Sequence, residues 1–338
     1  MAVKRIGNRT IKFQNPPSII GTSSIVGPKE GDGPLRSYFD LVLEDDTWGQ
    51  KSFEKAEAKM QEEAIKLAIK NANLSVNDIH FLISGDLLSQ IISSSYTARE
   101  IGIPYFGLYG ACSTMTESMC LAAMIIEGGF ADYVVCATSS HFSSAERQFR
   151  FPLEYGAQRK FSSQWTVTGA GATVLSANGQ GPYITYITPG RIRDYGITDT
   201  SNMGAAMAPA AVDTLLNHFK DTGFTPMDYD LIISGDLGLI GRRIVIDMMK
   251  KEGYDLSENY TDSGIKIFDT VEQDTHAGAS GCACSAVVFN GYVYKEMKKG
   301  TFNRVLVMST GALHSTTSSL QGESIPGIAH AVTIEKSI

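Results

Sequence analysis

Short continuous runs of valine, isoleucine and leucine alternate along the chain with longer stretches in which apolar residues recur every three or four positions. The runs read as strands buried on both faces, and the longer stretches as helices laid against them. The pattern predicts a charged amphipathic helix over 53–71, a strand at 81–84, helices over 90–101 and 113–128, and a strand at 133–138. The helix over 113–128 differs from the rest. Met115, Met119, Cys120, Ala122, Ala123, Met124, Ile125 and Ile126 leave it almost no polar face, which puts it at the centre of the molecule. The segment 140–165, rich in Ser, Arg, Gln and aromatic residues, breaks the alternation and reads as a long loop or excursion over the site.

The pattern occurs twice. "DIHFLISGDLLSQ" at 78–90 returns as "DYDLIISGDLGLI" at 228–240, carrying Asp86 to Asp236 at an offset of 150 residues. "GACS" at 110–113 is echoed by "CACS" at 282–285, and "DYVVCATSSH" at 132–141 by "RVLVMSTGALH" at 304–314. The offset from Cys112 to Cys284 is 172, so the second copy carries about 22 extra residues within 254–275. Doubling over so long a period predicts two similar halves related by a pseudo-twofold axis: residues 1–178, with Cys112 and the 140–165 excursion, and residues 179–338, with His276. Each half follows the α/β pattern.

Composition narrows the function classes. With 338 residues, 43% of them apolar, the chain can bury a large core. Its formal charge of −7 argues against nucleic acid as a partner, which needs a dense basic surface. The first residues, "MAVKRIGNRTIKF", lack the apolar core of a signal peptide, and nowhere do eighteen apolar residues run together, so cytosolic synthesis without a spanning helix is expected. Five cysteines cannot all pair internally, and their apolar context suits reduced, buried thiols. Cys282-Ala-Cys284 has the wrong spacing for a zinc knuckle, and no metal site is expected.

Cys112 is the exception among the thiols. Ser113 and Thr114 suit a first helical turn, while Gly110 and Ala111 permit close backbone approach. The thiol therefore lies at or just before a buried helix N-terminus, where unpaired N–H groups favour a thiolate or a bound anion. His276, in the Gly/Ser/Ala-rich "DTHAGASGCACSA", is a candidate partner.

At these residues the chain resembles the thiolase and ketoacyl-synthase superfamily, over nearly its whole length. The resemblance implies a duplicated βαβαβαββ unit in five layers, α-β-α-β-α. Cys112 in "YGACST" matches that superfamily's nucleophile, and His276 in "HAGASG" matches the activating histidine of the thiolase "GHPxGxSG" loop. Two departures count against condensation. "VMSTGALHS" puts Ser309 and Thr310 where thiolases carry a second cysteine, and a hydroxyl cannot easily serve as that acid and base. Ser234, Gly235 and Asp236 occupy the stretch where ketoacyl synthases place a histidine and thiolases an asparagine, and an ionised carboxylate opposes a developing oxyanion.

More narrowly, "GPKEGDGPL", "SGDLL", "SSHFSSAERQFRFPLEYG", "MGAAMAPAA" and "HAGASGCACSAV" are together similar to a thiolase-fold family of sporulation proteins. That similarity implies binding of dipicolinic acid, free or as its calcium chelate, on its way into or out of the spore core, with no other cofactor. It also implies a peripheral place at the inner spore membrane beside other proteins of the dipicolinate transport complex, and a homodimer paired through a strand near 132–138. The implied ligand contacts are Cys112, His141, Arg147, Arg150, Arg159, Asp236, His276 and Thr310, the arginines offering bidentate pairs to two carboxylates. A solvated loop face for the arginines and a satisfied buried imidazole for His141 are the alternatives. Asp86 and Asp236 read equally as strand-end turns capping the next helix, and 27–35 reads as an exposed loop. The alternative function is an acyltransferase that uses a Cys112 and His276 dyad on a coenzyme A thioester.

Overall fold

The computed structural model describes residues 4–149 and 159–338. The first half supplies strands β1 (Ser18–Val26), β2 (Phe81–Gly85), β3 (Tyr105–Gly107), β4 (Tyr133–Ser140) and β5 (Gly169–Ser176). Its helices are α1 (Phe53–Asn71), α2 (Ile92–Ile101), α3 (Thr114–Glu127) and α4 (Phe142–Phe149). The second half supplies β6 (Tyr183–Thr188), β7 (Leu231–Ser234), β8 (Tyr260–Asp262), β9 (Arg304–Ala312) and β10 (Gly327–Glu335), with helices α5 (Met203–Thr222), α6 (Gly238–Lys251) and α7 (Cys282–Val287).

The sheet runs β8-β7-β9-β10-β6-β1-β5-β4-β2-β3, so the two halves mirror each other about the β6–β1 junction. In the first half β1–β5 and β5–β4 are antiparallel, and β4–β2 and β2–β3 are parallel. The second half repeats this with β6–β10 and β10–β9 antiparallel, and β9–β7 and β7–β8 parallel. The halves meet edge to edge along a short seam at Ser18 and Tyr183, beside which the N-terminal strand Thr10–Lys12 also pairs with β6. Helices cover both outer faces, α1 and α2 on the first sheet and α5 and α6 on the second, while α3 packs between the sheets against β4, β9 and β10. The five α-β-α-β-α layers result.

Local chemistry explains the elements. The Ser52 side chain caps α1 by accepting from the Lys55 amide at 3.3 Å, and Ala56, Met60, Ala64, Ile65 and Ala68 bury its inner stripe. Asn202 caps α5 by accepting from the Ala205 amide, and Gly223, at a φ of 75°, ends it. Met115, Met119, Ala122 and Ala123 of α3 are wholly buried, as its missing polar face requires.

Three expectations are corrected. β4 cannot carry a homodimer contact near 132–138, because β5 and β2 fill both its edges; the open edge at that end of the sheet is β3. Segment 27–35 is not an exposed loop: Gly27, Glu30, Gly31, Gly33 and Leu35 are buried, and the Glu30 carboxylate turns inward to accept from the Thr168 amide at 2.9 Å. The excursion after residue 140 begins as a helix, α4.

Met119→Ala leaves a cavity that both sheets must bridge, and is expected to cost about 2–5 kcal/mol of unfolding free energy. Met124→Ala, on the same helix but 44% exposed, should stay within about 0.5 kcal/mol of wild type, both measured by urea titration.

Candidate functional site

The turn Ala111–Ser113 leads into α3 and carries Cys112. Ala111 sits at a φ of 51°, in the left-handed region a non-glycine residue adopts only where its surroundings hold it. Here the Ser113 and Thr114 hydroxyls donate to the Gly110 and Ala111 carbonyls, both at 2.7 Å. Gly311 of β9 passes so near that a Cβ there would fall 2.5 Å from the Gly110 carbonyl oxygen. Beside Cys112 opens a cavity of about 310 Å³, whose walls include Tyr109, Glu146, Phe149, Thr166, Ser280 and His314. Helix α4 forms one side of it. A parallel strand pair, Trp165–Thr166 with Ala279–Ser280, fixes Thr166 and Ser280 on another.

The repeated Ser-Gly-Asp motif serves two purposes. Asp86 accepts from the Leu88 and Ser94 amides at 2.8 and 2.7 Å, so it caps the adjoining turn and helix. Asp236 caps nothing. Asp262 has taken over that role, accepting from the Leu237 and Gly238 amides at the start of α6, both at 2.9 Å. Asp236 instead turns to the site, where Thr310 Oγ1 donates to it at 2.9 Å, and Ser280 Oγ and the Gly281 amide each donate at 3.1 Å. Burial pushes its carboxyl up to about 6, although those donors and the Cys112 thiol pull the other way.

Cys112 therefore does not behave as its place before a helix suggests. Its hydrogen bond with Cys282, its burial and the charge of Asp236 hold the thiol well above the ordinary cysteine range. Together these outweigh the helix end. Cys282, buried in the first turn of α7, also donates to the Ala111 carbonyl at 3.0 Å. All five cysteines are free thiols.

The structure thus unites Cys112, Asp236 and Thr310 and separates the other expected residues from them. His276 faces outward, its Nδ1 2.8 Å from the Lys160 carbonyl and its Nε2 3.1 Å from Asp274. The dyad with Cys112 is not formed. The reason is legible in the motif: "GHPxGxSG" places histidine five residues before serine, whereas His276 stands four before Ser280, so Thr275 takes that register. His141 is a buried structural imidazole, with Nε2 2.9 Å from the Asp46 carbonyl and Nδ1 accepting from the Ser143 amide. Arg147 pairs with Glu54, and Arg159 with Asp274 at 2.9 Å, neither of them at the cavity. Arg150 lies outside the described residues. Sequence reading missed Glu146, His314 and Cys282. His314 stands one residue past the repeated "MSTGAL" and Glu146 four before Arg150, but nothing in their spacing aims either at a cavity.

A protein-family model described as stage V sporulation protein AD matches residues 7–335. Stage V sporulation protein AD of Bacillus subtilis (strain 168) is 45% identical over 334 residues, spanning 99% of this chain and 98% of that protein. Among solved structures, a variant of Xanthomonas campestris OleA matches with a TM-score of 0.61 at 16% identity, over 97% of this chain and all of that one. 3-Oxoacyl-[acyl-carrier-protein] synthase III from Aquifex aeolicus VF5 matches with a TM-score of 0.56 at 15% identity, over 94% and 99% of the two chains. At such identities these structures establish a shared fold.

Asp236→Asn removes one of the influences that suppress the Cys112 thiolate, while the Cys282 hydrogen bond and burial remain. Iodoacetamide labelling of Cys112 at about pH 8, followed by intact mass, should be several-fold faster than in wild type. The wild-type Asp236 carboxyl, at about 6 against an ordinary 3.8, binds its proton more tightly folded than unfolded, so its stabilising contribution is complete below about pH 4 and lost as pH rises through about 6. Glu30 and Asp262, each pushed up to about 7, largely by burial, extend that loss. The urea midpoint should therefore fall as pH rises from about 5 to about 7 and level off above that.

Proposed function

The chain belongs to the stage V sporulation protein AD family, and from that membership we propose that it is a sporulation binding protein whose cavity beside Cys112 holds dipicolinic acid as its calcium chelate. Asp236 carries the reading. Acyl transfer needs a thiolate and donors aimed at a developing oxyanion, and a carboxylate beside the sulfur works against both. Binding needs neither.

The cavity suits a small planar ligand. At about 310 Å³ it lies at the lower end of the range for small-molecule sites, and Tyr109, Phe149 and His314 offer ring faces. Its walls include no lysine or arginine among the described residues but do include the buried carboxylate of Glu146, which accepts from Thr166 Oγ1 at 3.2 Å. A free dianion brings two further negative charges beside that carboxylate. A neutral chelate brings its own calcium, for which Glu146 and the hydroxyls of Ser280, Ser315 and Ser318 are hard oxygen donors. No group of three or more metal-ligating side chains is present among the described residues, which suits an ion arriving as cargo.

The family's sporulation role supports placing the protein with a transport assembly at the inner spore membrane. No helix among the described residues is long and apolar enough to cross a membrane, so the attachment we infer is peripheral. The homodimer is assigned to the open edge of β3, where Phe106 is half exposed.

Calorimetry should show saturable, turnover-free binding of calcium dipicolinate, about tenfold or more tighter than of dipicolinate with chelator, and Glu146→Gln should remove most of that difference. A stoichiometric thioester on Cys112 after incubation with acyl-CoA, or equal affinity for the two ligand forms, would overturn the reading.

A further inference from the structure

Cys112 and Cys282 come from opposite halves of the chain, 170 positions apart in sequence, and their thiols meet in a hydrogen bond. Both backbones are pinned where they meet. The Ser113 and Thr114 hydroxyls and the close passage of Gly311 hold the turn that carries Cys112. Cys282 opens α7, where Thr138 Oγ1 donates to its carbonyl at 3.0 Å and the following amide, of Ala283, donates to Ser140 Oγ at 3.1 Å. The Cys282 sulfur lies 3.0 Å from the carbonyl oxygen of Ala111, in the peptide unit that joins Ala111 to Cys112.

The two sulfurs differ in access. Cys112 lines the cavity of about 310 Å³, whereas Cys282 is wholly buried and does not line it. The other thiols stand apart from this pair: Cys284 donates to the Gly235 carbonyl at 3.4 Å, and Cys120 and Cys136 belong to the packed core and do not line the cavity. A small oxidant therefore reaches one sulfur first, and a second thiol waits against it. In that arrangement an oxidised cysteine is resolved by its neighbour before it advances to an irreversible acid.

We propose that Cys112 and Cys282 form a reversible oxidation site, at which a peroxide converts the thiol pair to a disulfide joining the two halves of the chain. The Cys112 sulfur gives up its proton and attacks one peroxide oxygen; the O–O bond breaks, one water leaves, and Cys112 becomes a sulfenic acid. The Cys282 sulfur then attacks the Cys112 sulfur, the S–OH bond breaks, and a second water leaves with the Cys282 proton. Two electrons pass from the sulfurs to the peroxide, and a bond of about 2.05 Å replaces the thiol contact. The first step is slow, because Cys282, burial and Asp236 keep the Cys112 thiol protonated, so the site answers sustained oxidant rather than a brief pulse. The bond takes from Asp236 the donor that the Cys112 thiol supplies. The ligand assigned to the cavity plays no part in the reaction.

The test treats the full, folded chain with excess hydrogen peroxide over hours at about pH 8, blocks the remaining thiols with iodoacetamide in denaturant, and maps peptides by mass spectrometry with and without dithiothreitol. Cys282→Ser is the comparison, with circular dichroism and Tm to report its folding. The expected wild-type product is a peptide pair linked through Cys112 and Cys282, as the dominant disulfide and released by dithiothreitol. In Cys282→Ser that pair is absent, and Cys112 is trapped by dimedone as the sulfenic acid or advances to the sulfinic acid. If Cys282→Ser does not fold, the wild-type map decides alone. Wild type in which peroxide leaves Cys112 a free thiol, carries it to the sulfinic acid without the linked pair, or links it mainly to another cysteine would overturn the proposal.

Discussion

A helix with almost no polar face must bury most of its surface, and packing α3 between two sheets, with only Leu121 and Met124 left at an exposed edge, is the constraint on which the rest of the molecule depends. Two layers cannot do it with one sheet, so the chain builds its α/β unit twice and closes the copies over a shared interior. The interior is buried from solvent. Any carboxylate left there either finds donors or gives up its charge, and Asp236 does part of each.

Duplication also explains how a buried acid came to stand beside a thiol. In the first half, Ser-Gly-Asp ends a strand and the aspartate caps the next turn and helix, an ordinary use of a short acidic side chain. In the second half the same motif is relieved of that duty, because Asp262 satisfies the amides at the head of α6. Once freed, Asp236 could point across the interior to Thr310, Ser280 and Cys112 without leaving a helix end unsatisfied. The turn of Asp236 into the pocket is thus coupled to a change of capping at the adjoining amides.

The fold was legible because it rests on periodicities that a sequence displays directly. The runs at 81–84 and 133–138 became β2 and β4, the amphipathic stretch at 53–71 became α1, and the repeated Ser-Gly-Asp motifs stand at the ends of β2 and β7. The site was legible only in its backbone-fixed parts, Cys112 and the strand-end Asp236 and Thr310. Side chains on the intervening loops escaped prediction. A one-residue difference in spacing turned His276 outward, and arginines suited to carboxylate ligands found Glu54 and Asp274 within the protein. Charge density misled at 27–35, where burial of one glutamate decides the conformation. Such outcomes depend on which partners tertiary contacts bring near, information that spacing along one strand or loop does not hold.

The narrow seam between β6 and β1 has a mechanical corollary. Two broad plates that barely touch along their rims but share a packed middle layer behave as though riveted through the centre. A load that pulls the halves apart would therefore fall on the side chains of the middle helices α3 and α7 rather than on strand hydrogen bonds.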